Sequence, residues 1–157
     1  MLWLWVVLGI LLVGAALAVW LLRPLGRWGK EIQVERAREL FRLQRERLEA
    51  NFMSAAARSG KPRGLRWKDC DFEDNIELAR QRQTGELVAL VPVTVQFEAV
   101  EGSDMEGLPA VGNLRNATGV FFFRGGRWRT VGKAVFNLNP GEAIEHFKQQ
   151  YERVDLM

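Results

Sequence analysis

The stretch Thr118–Leu138, TGVFFFRGGRWRTVGKAVFNL, decides the fold of the C-terminal part of this chain. Two runs rich in β-branched and aromatic residues flank Gly125-Gly126, and a glycine pair between such runs is the signal for a two-residue hairpin turn. The predicted strands are Thr118 to Arg124 and Arg127 to Leu138. The sequence therefore predicts an antiparallel hairpin that belongs to a larger sheet.

Upstream of this hairpin, side-chain character alternates with a period of two, which predicts further strands. These strands are Leu65 to Phe72, Asn75 to Arg82 and Leu87 to Val100. Pro92 lies inside the third strand and predicts a sheet edge or a bulge there, because proline has no N–H to donate to a ladder. The glycine- and proline-containing stretch 101–116 predicts a long loop.

Helices are predicted on both sides of the strands. Residues 30–58 carry apolar side chains at steps of three and four, which is typical of an amphipathic helix. This helix has three interpretations: it packs on the sheet, it forms a coiled-coil dimer, or it lies on anionic lipid through its arginines. Asn139-Pro140-Gly141-Glu142 is typical of a helix start, and the last helix is predicted to run to Val154.

The first 22 residues contain no charged side chain. About 20 apolar residues at 1.5 Å per residue cover a hydrocarbon core of roughly 30 Å, so 1–22 is predicted to be a transmembrane helix. A cleavable signal peptide is the alternative, since Ala16-Leu17-Ala18 resembles a cleavage site. The absence of a basic segment before the apolar run, and its continuation to Leu22, favour an uncleaved anchor.

Charge is distributed unevenly along the chain. Residues 23–63 hold eleven Lys or Arg against five Asp or Glu, whereas 64–157 holds eleven against fourteen. Basic residues that follow the span, in the juxtamembrane linker 23–29 and just beyond it, predict a single-pass membrane protein with a cytoplasmic C-terminal part. The residues expected at the membrane interface are Trp3, Trp5, Trp20, Arg23, Arg27, Trp28 and Lys30.

No motif predicts catalysis, a metal site or a cofactor. The acidic run Asp69, Asp71, Glu73 and Asp74 lacks the glycine and the glutamate of a calcium loop. His146 is the only histidine and Cys70 the only cysteine, so neither a two-histidine acid–base pair nor a cysteine zinc site exists.

Two surface features remain for function. The arginines around Trp128 resemble a nucleic-acid stacking surface, but the acidic balance of 64–157 favours solvated arginines on a sheet and no nucleic-acid partner. The long loop 101–116 is the first place to look for function. Its neighbourhood carries the carboxylates of Glu98, Glu101, Asp104 and Glu106.

The order helix, long hairpins and the connection Phe121 to Trp128 (FFFRGGRW) resembles the cystatin/NTF2-like group of α+β folds over residues 30–139. The sequence pattern itself predicts an α+β fold in which a helix packs on a curved antiparallel sheet of four or five strands, followed by a C-terminal helix. The resemblance implies the same helix and sheet and does not require the C-terminal helix. Members of the group include enzymes and pure binding domains, so fold alone does not decide activity.

Two functional hypotheses follow. The chain is a membrane-tethered, non-enzymatic module that binds a protein partner or forms a homo-oligomer, with the lipid bilayer as its second partner. Alternatively, segment 64–157 is a small ligand-binding or enzymatic pocket domain. That pocket would be lined by Trp67, Phe97, Phe121 and Trp128.

Overall fold

The computed structural model describes residues 32–59 and 64–154, together with Trp3, Leu11, Val13, Gly14 and Leu17. The chain divides into two compact units, Met1–Arg36 and Ala37–Met157, and we call the second unit the head. Among the described residues, no helix is both long enough and apolar enough to cross a bilayer. The predicted span 1–22 lies outside the described residues except at the five single positions, and the linker 23–29 lies wholly outside them.

The predicted amphipathic helix consists of two helices. Helix α1 covers residues 32–43 and helix α2 covers Arg45–Ser59. They meet at Gln44, whose backbone N–H is shared between the carbonyls of Leu40 and Phe41, both at 3.2 Å. Within the head, their buried apolar side chains are Ala37, Phe41, Leu48, Phe52 and Ala56.

The head contains a six-stranded antiparallel sheet, so the predicted α+β class is confirmed. The predicted count of four or five strands is wrong, because Tyr151–Arg153 adds a strand where a helix was predicted. The strands are β1 (Leu65–Phe72), β2 (Glu77–Gln81), β3 (Leu87–Ala99), β4 (Arg115–Arg124), β5 (Arg127–Phe136) and β6 (Tyr151–Arg153). The order is β5-β4-β3-β2-β6. Strands β1 and β2 pair with the same edge of β3: β2 pairs with the N-terminal half of β3 and β1 with its C-terminal half. The predicted hairpin is present, because Arg124 pairs with Arg127 and both turn glycines have positive φ.

Pro92 lies in a central strand rather than at an edge of the sheet. The predicted irregularity occurs in the neighbouring strand, because β1 pairs with β3 only up to Val93 and β2 begins again at Leu90. In the gap, the backbone N–H of Glu73 donates to the carbonyl of Pro92 at 3.1 Å. A proline that cannot donate is thus accommodated by a break in its partner strand.

One face of the sheet, which we call the helix face, is covered by α1 and α2. The Phe52 ring lies 5.3 Å from the ring of Phe72 and 5.6 Å from that of Phe121. Trp128 is buried on the same face, and its indole N–H donates to the carbonyl of Ala37 at 2.7 Å. These contacts place the main aromatic core of the head between the helices and the sheet.

The opposite face is covered over only part of its length. Helix α3 (Pro140–His146) and Tyr151 pack on Val88, Leu90 and Val120 of the central strands. The prediction that this helix reaches Val154 is wrong, because it ends at His146 and Tyr151–Arg153 forms β6 beside β2. Burial of the Tyr151 ring against the sheet outweighs the helical propensity of the segment.

Candidate binding groove

A groove of about 860 Å³ opens on the uncovered part of this second face, which we call the groove face. Its floor contains Pro92 and Thr94 of β3 and Asn116 of β4. Thr94 and Asn116 are paired across the strands, so their side chains project from the same face of the sheet. Beyond the pair Pro92 and Thr118 on this face, the pair Leu90 and Val120 lies under α3, so the groove lies beside the start of that helix.

Three segments supply the sides of the groove. The turn between β1 and β2 contributes Glu73, Asn75 and Glu77. The residues that lead into β4, and the connection from β5 into α3, contribute the other side. These residues are Asn113, Leu114, Arg115, Asn137, Leu138, Asn139, Pro140 and Glu142.

The start of α3 is held in place by a capping box. The Asn139 side chain accepts from the N–H of Glu142 at 2.8 Å, and the Glu142 carboxylate accepts from the N–H of Asn139 at 2.9 Å. Both partners satisfy N–H groups that a helix start otherwise leaves free. Below it, the buried hydroxyl of Thr118 donates to the carbonyl of Leu138 at 2.7 Å and fixes the same segment to β4.

Four amide side chains face the groove without an internal partner. Within the described part of the chain, the side chains of Asn75, Asn113, Asn116 and Asn137 make no hydrogen bond to protein groups, and all four are exposed. Each amide carries one acceptor oxygen and two N–H donors. The groove therefore offers paired donors and acceptors to whatever enters it.

The electrostatic balance of the groove is acidic. Glu77 forms an ion pair with Arg153 at 3.0 Å, whereas the carboxylate of Glu73 has no ion-pair partner among the described residues. Asp71 lies opposite Thr94 in the β1–β3 pairing, so its side chain shares the groove face. Arg115 is the one basic residue among the groove-lining residues that the structure describes.

No family model, curated protein or solved structure matches this chain.

The residues proposed from sequence as a pocket lining lie elsewhere. Phe97, Phe121 and Trp128 are buried on the helix face, and half-buried Trp67 contacts Phe97 there at 5.0 Å between ring centroids. These rings form the core between helices and sheet and do not line the groove. Burial of Trp128 also removes the central ring of the suggested nucleic-acid stacking surface.

The carboxylates near the long loop are not brought together into one site. Glu98 forms an ion pair with Arg66 at 2.8 Å, and Glu106 accepts from the backbone N–H of Gly102 at 2.7 Å. Glu101 and Asp104 are exposed. The part of the loop that does line the groove is its C-terminal end, at Asn113 and Leu114.

The remaining candidates show no assembled chemistry. His146 is exposed, and its ring contacts Phe147 edge-on at 4.8 Å. Burial first, and the negative charge of Asp69 second, raise the pKa of the Cys70 thiol to about 12. Among residues 32–59 and 64–154, no three His, Cys, Asp or Glu residues are placed to hold a metal ion.

Of the seven predicted membrane-interface residues, six lie outside the described residues: Trp5, Trp20, Arg23, Arg27, Trp28 and Lys30. Trp3 is described and is 84% exposed.

The groove was missed from sequence because its parts are distant along the chain. Asn75 lies about forty positions before Asn113 and Asn116, and Asn137 directly follows β5. A signal was present, since asparagine recurs at the ends of β4 and β5 and at the α3 start. Each of these asparagines is also an ordinary turn or cap residue, so the pattern pointed first to turns.

Proposed function

We propose that this chain is a membrane-tethered, non-enzymatic module whose head binds a protein partner through the groove face. The observation that carries the proposal is an open groove lined by side-chain amides that have no partner within the described part of the chain. A hydrogen-bonded protein interface needs polar groups on each partner that are free to pair with the other, and the groove amides supply such groups. The tether is supported by the uncharged, bilayer-length segment 1–22 and the basic residues after it.

The chemistry of the groove favours binding over catalysis. The described residues of its lining include no histidine, cysteine or lysine, and its carboxylates are exposed or ion-paired. An acid–base catalyst needs a titratable group placed by burial or by a charged neighbour so that its pKa suits the reaction. Apart from Tyr151 and the half-buried Cys70, whose pKa values burial raises, the described core holds no buried titratable side chain.

A ligand-binding pocket is the second candidate, and the size of the groove favours it. A volume of about 860 Å³ falls within the range of roughly 300–1,000 Å³ that small-molecule sites occupy. Small-molecule sites are mostly apolar and enclosed, whereas this groove is open and its lining is mainly polar. The cystatin/NTF2-like relationship is part of this proposal too, supported by a helix packed across an antiparallel sheet.

The proposal is tested by purifying the full-length protein from membranes after alkaline carbonate washing and mild detergent extraction. We expect the chain to stay in the membrane pellet through the wash. After extraction, it should elute with a stoichiometric protein partner or as a homo-oligomer. A chain that is released by carbonate would contradict the tether, and one that is strictly monomeric and brings nothing down would contradict the module.

A further inference from the structure

We infer that the groove binds an extended polypeptide segment of a partner protein that carries Lys or Arg side chains. This inference rests on the proposed function, and it names the partner chemistry that the groove would recognise. Two features of the groove carry it: its free amides and its charge.

The free amides match the chemistry of a peptide backbone. A peptide unit presents one N–H and one C=O, and an asparagine side chain can accept from the first while donating to the second. Asn116 and Asn137 are neighbours, since the backbone N–H of Asn137 donates to the carbonyl of Asn116 at 2.9 Å. Asn75 and Asn113 stand on the two sides of the groove, so amides are available along both sides of a bound chain.

The free amides also favour an extended chain over a helix, because an α-helix bonds its own backbone groups internally. A helix would leave the asparagine amides unpaired, whereas an extended segment has free N–H and C=O groups to pair with them.

Charge then selects the side chains of the bound segment. The exposed side chains of Asp69 and Asp71 lie on the groove face of β1, and Glu73 follows β1 into the groove. Glu142, whose carboxylate also accepts from the Asn139 N–H, lies at the start of α3. The described cations beside these carboxylates are Arg115, Arg153, which is ion-paired with Glu77, and Arg45, which donates to the carbonyl of Glu73 and forms an ion pair with Asp74 at 3.3 Å. A Lys or Arg side chain of the ligand would meet carboxylates there, and a polyol would leave those carboxylates without a counter-charge.

The test is a selection of phage-displayed random dodecapeptides on the full-length protein in detergent micelles. We expect the selected peptides to be enriched in Lys and Arg. Their affinity should fall by about tenfold or more when ionic strength rises from roughly 0.05 to 0.5 M, because exposed ion pairs are screened. Selected peptides without basic residues, or binding that resists salt, would overturn the inference.

Variants then place the peptides in the groove. Asn113→Ala and Asn116→Ala should each weaken binding about tenfold, because each removes a pair of hydrogen bonds. Glu73→Lys should weaken binding of the basic peptides by a similar factor. These side chains make no hydrogen bond or ion pair with the described residues, so we expect unchanged thermal unfolding of each variant. Asn137 is left unchanged, because its φ of 60° favours asparagine or glycine.

Matched controls lie on the helices that cover the other face. Asn51→Ala and Glu39→Lys change the same residue types at exposed positions of α2 and α1, and should leave peptide affinity unchanged. Equal losses in the controls and the groove variants would overturn the assignment to the groove. Binding of an oligosaccharide array in place of peptides would overturn it as well.

The two proposals fail separately in the same preparation. A native partner that co-purifies equally with the wild type and with the Asn113→Ala, Asn116→Ala double variant overturns the groove inference and docking on the groove face, and leaves a membrane-tethered module that binds its partner elsewhere. A wild-type protein that recovers neither a partner nor a second copy of itself overturns the module, and the inference with it.

Discussion

Gly132 shows how a single residue without a side chain sets the distance between helix and sheet. Its φ is 73°, and a Cβ built there would lie 2.2 Å from the backbone nitrogen of Ala56 in α2. It stands at the irregular part of β5, where the pairing with β4 shifts between Gly119 and Phe121. The bulge and the missing side chain together allow the helix backbone to approach the strand.

Gly132→Ala is therefore expected to destabilise the head by about 3 kcal/mol, from the positive φ and from the clash with helix backbone. The matched control is Gly126→Ala, whose φ of 75° is similar but whose Cβ would meet nothing within 4 Å. The control should cost about 1 kcal/mol, since only the backbone strain remains. Chemical unfolding of the full-length protein in micelles measures both, and equal losses would contradict a close approach of α2.

Cys70 gives a residue-scale prediction on pH. With its pKa raised to about 12 from an ordinary value of 9.0, the thiol stays protonated in the folded protein where the unfolded chain already ionises. Between pH 9 and pH 12 the folded state therefore holds more protons than the unfolded state. The contribution of the protonated Cys70 thiol to the free energy of unfolding is complete below pH 9 and is lost as pH rises toward 12. At pH 8, iodoacetamide should alkylate the folded protein at least about tenfold more slowly than the urea-unfolded chain.

Because the chain has a single cysteine, the labelling rate reports on that site alone. Equal rates for the folded and unfolded protein would show that the Cys70 thiol is neither buried nor held protonated.

At the scale of elements, the sequence predicted the strand bounds and turns that depend on residues close together in the chain. The bounds of β1 agree with the prediction although its alternation is interrupted by a register shift between Trp67 and Asp69, and the β4–β5 turn agrees because two glycines accept positive φ. The end of α3 could not be predicted, since it depends on the burial of Tyr151 against strands that lie far away in sequence. The groove depends on contacts of the same non-local kind.

The capping box at the start of α3 provides the element-scale prediction. Asn139→Ala removes the acceptor for the Glu142 N–H and should lower the free energy of unfolding by about 1 kcal/mol. Asn139→Asp keeps a side-chain acceptor and should stay within a few tenths of wild type. Thermal unfolding of the two variants tests this, and an aspartate as damaging as alanine would contradict the capping role.

At the scale of the whole molecule, the two faces of the sheet differ in the side chains they carry and in how completely they are covered. The helix face holds the aromatic core, in which Phe41, Phe52 and Phe121 meet at ring distances of 5.2 to 5.6 Å. The groove face is only partly covered by α3 and presents amides and carboxylates to solvent. Under the proposed function, recognition uses the uncovered part of the groove face, so we expect substitutions there to alter binding without weakening the aromatic core.

Site-specific photo-cross-linking in native membranes tests this division most directly. A photoreactive residue in place of Leu114, which lines the groove and is 67% exposed, should yield one dominant protein adduct. The same residue in place of Leu43, which is 73% exposed on α1, should yield none. Adducts from Leu43 alone, equal adducts from both positions, or none from either would contradict a partner that docks on the groove face.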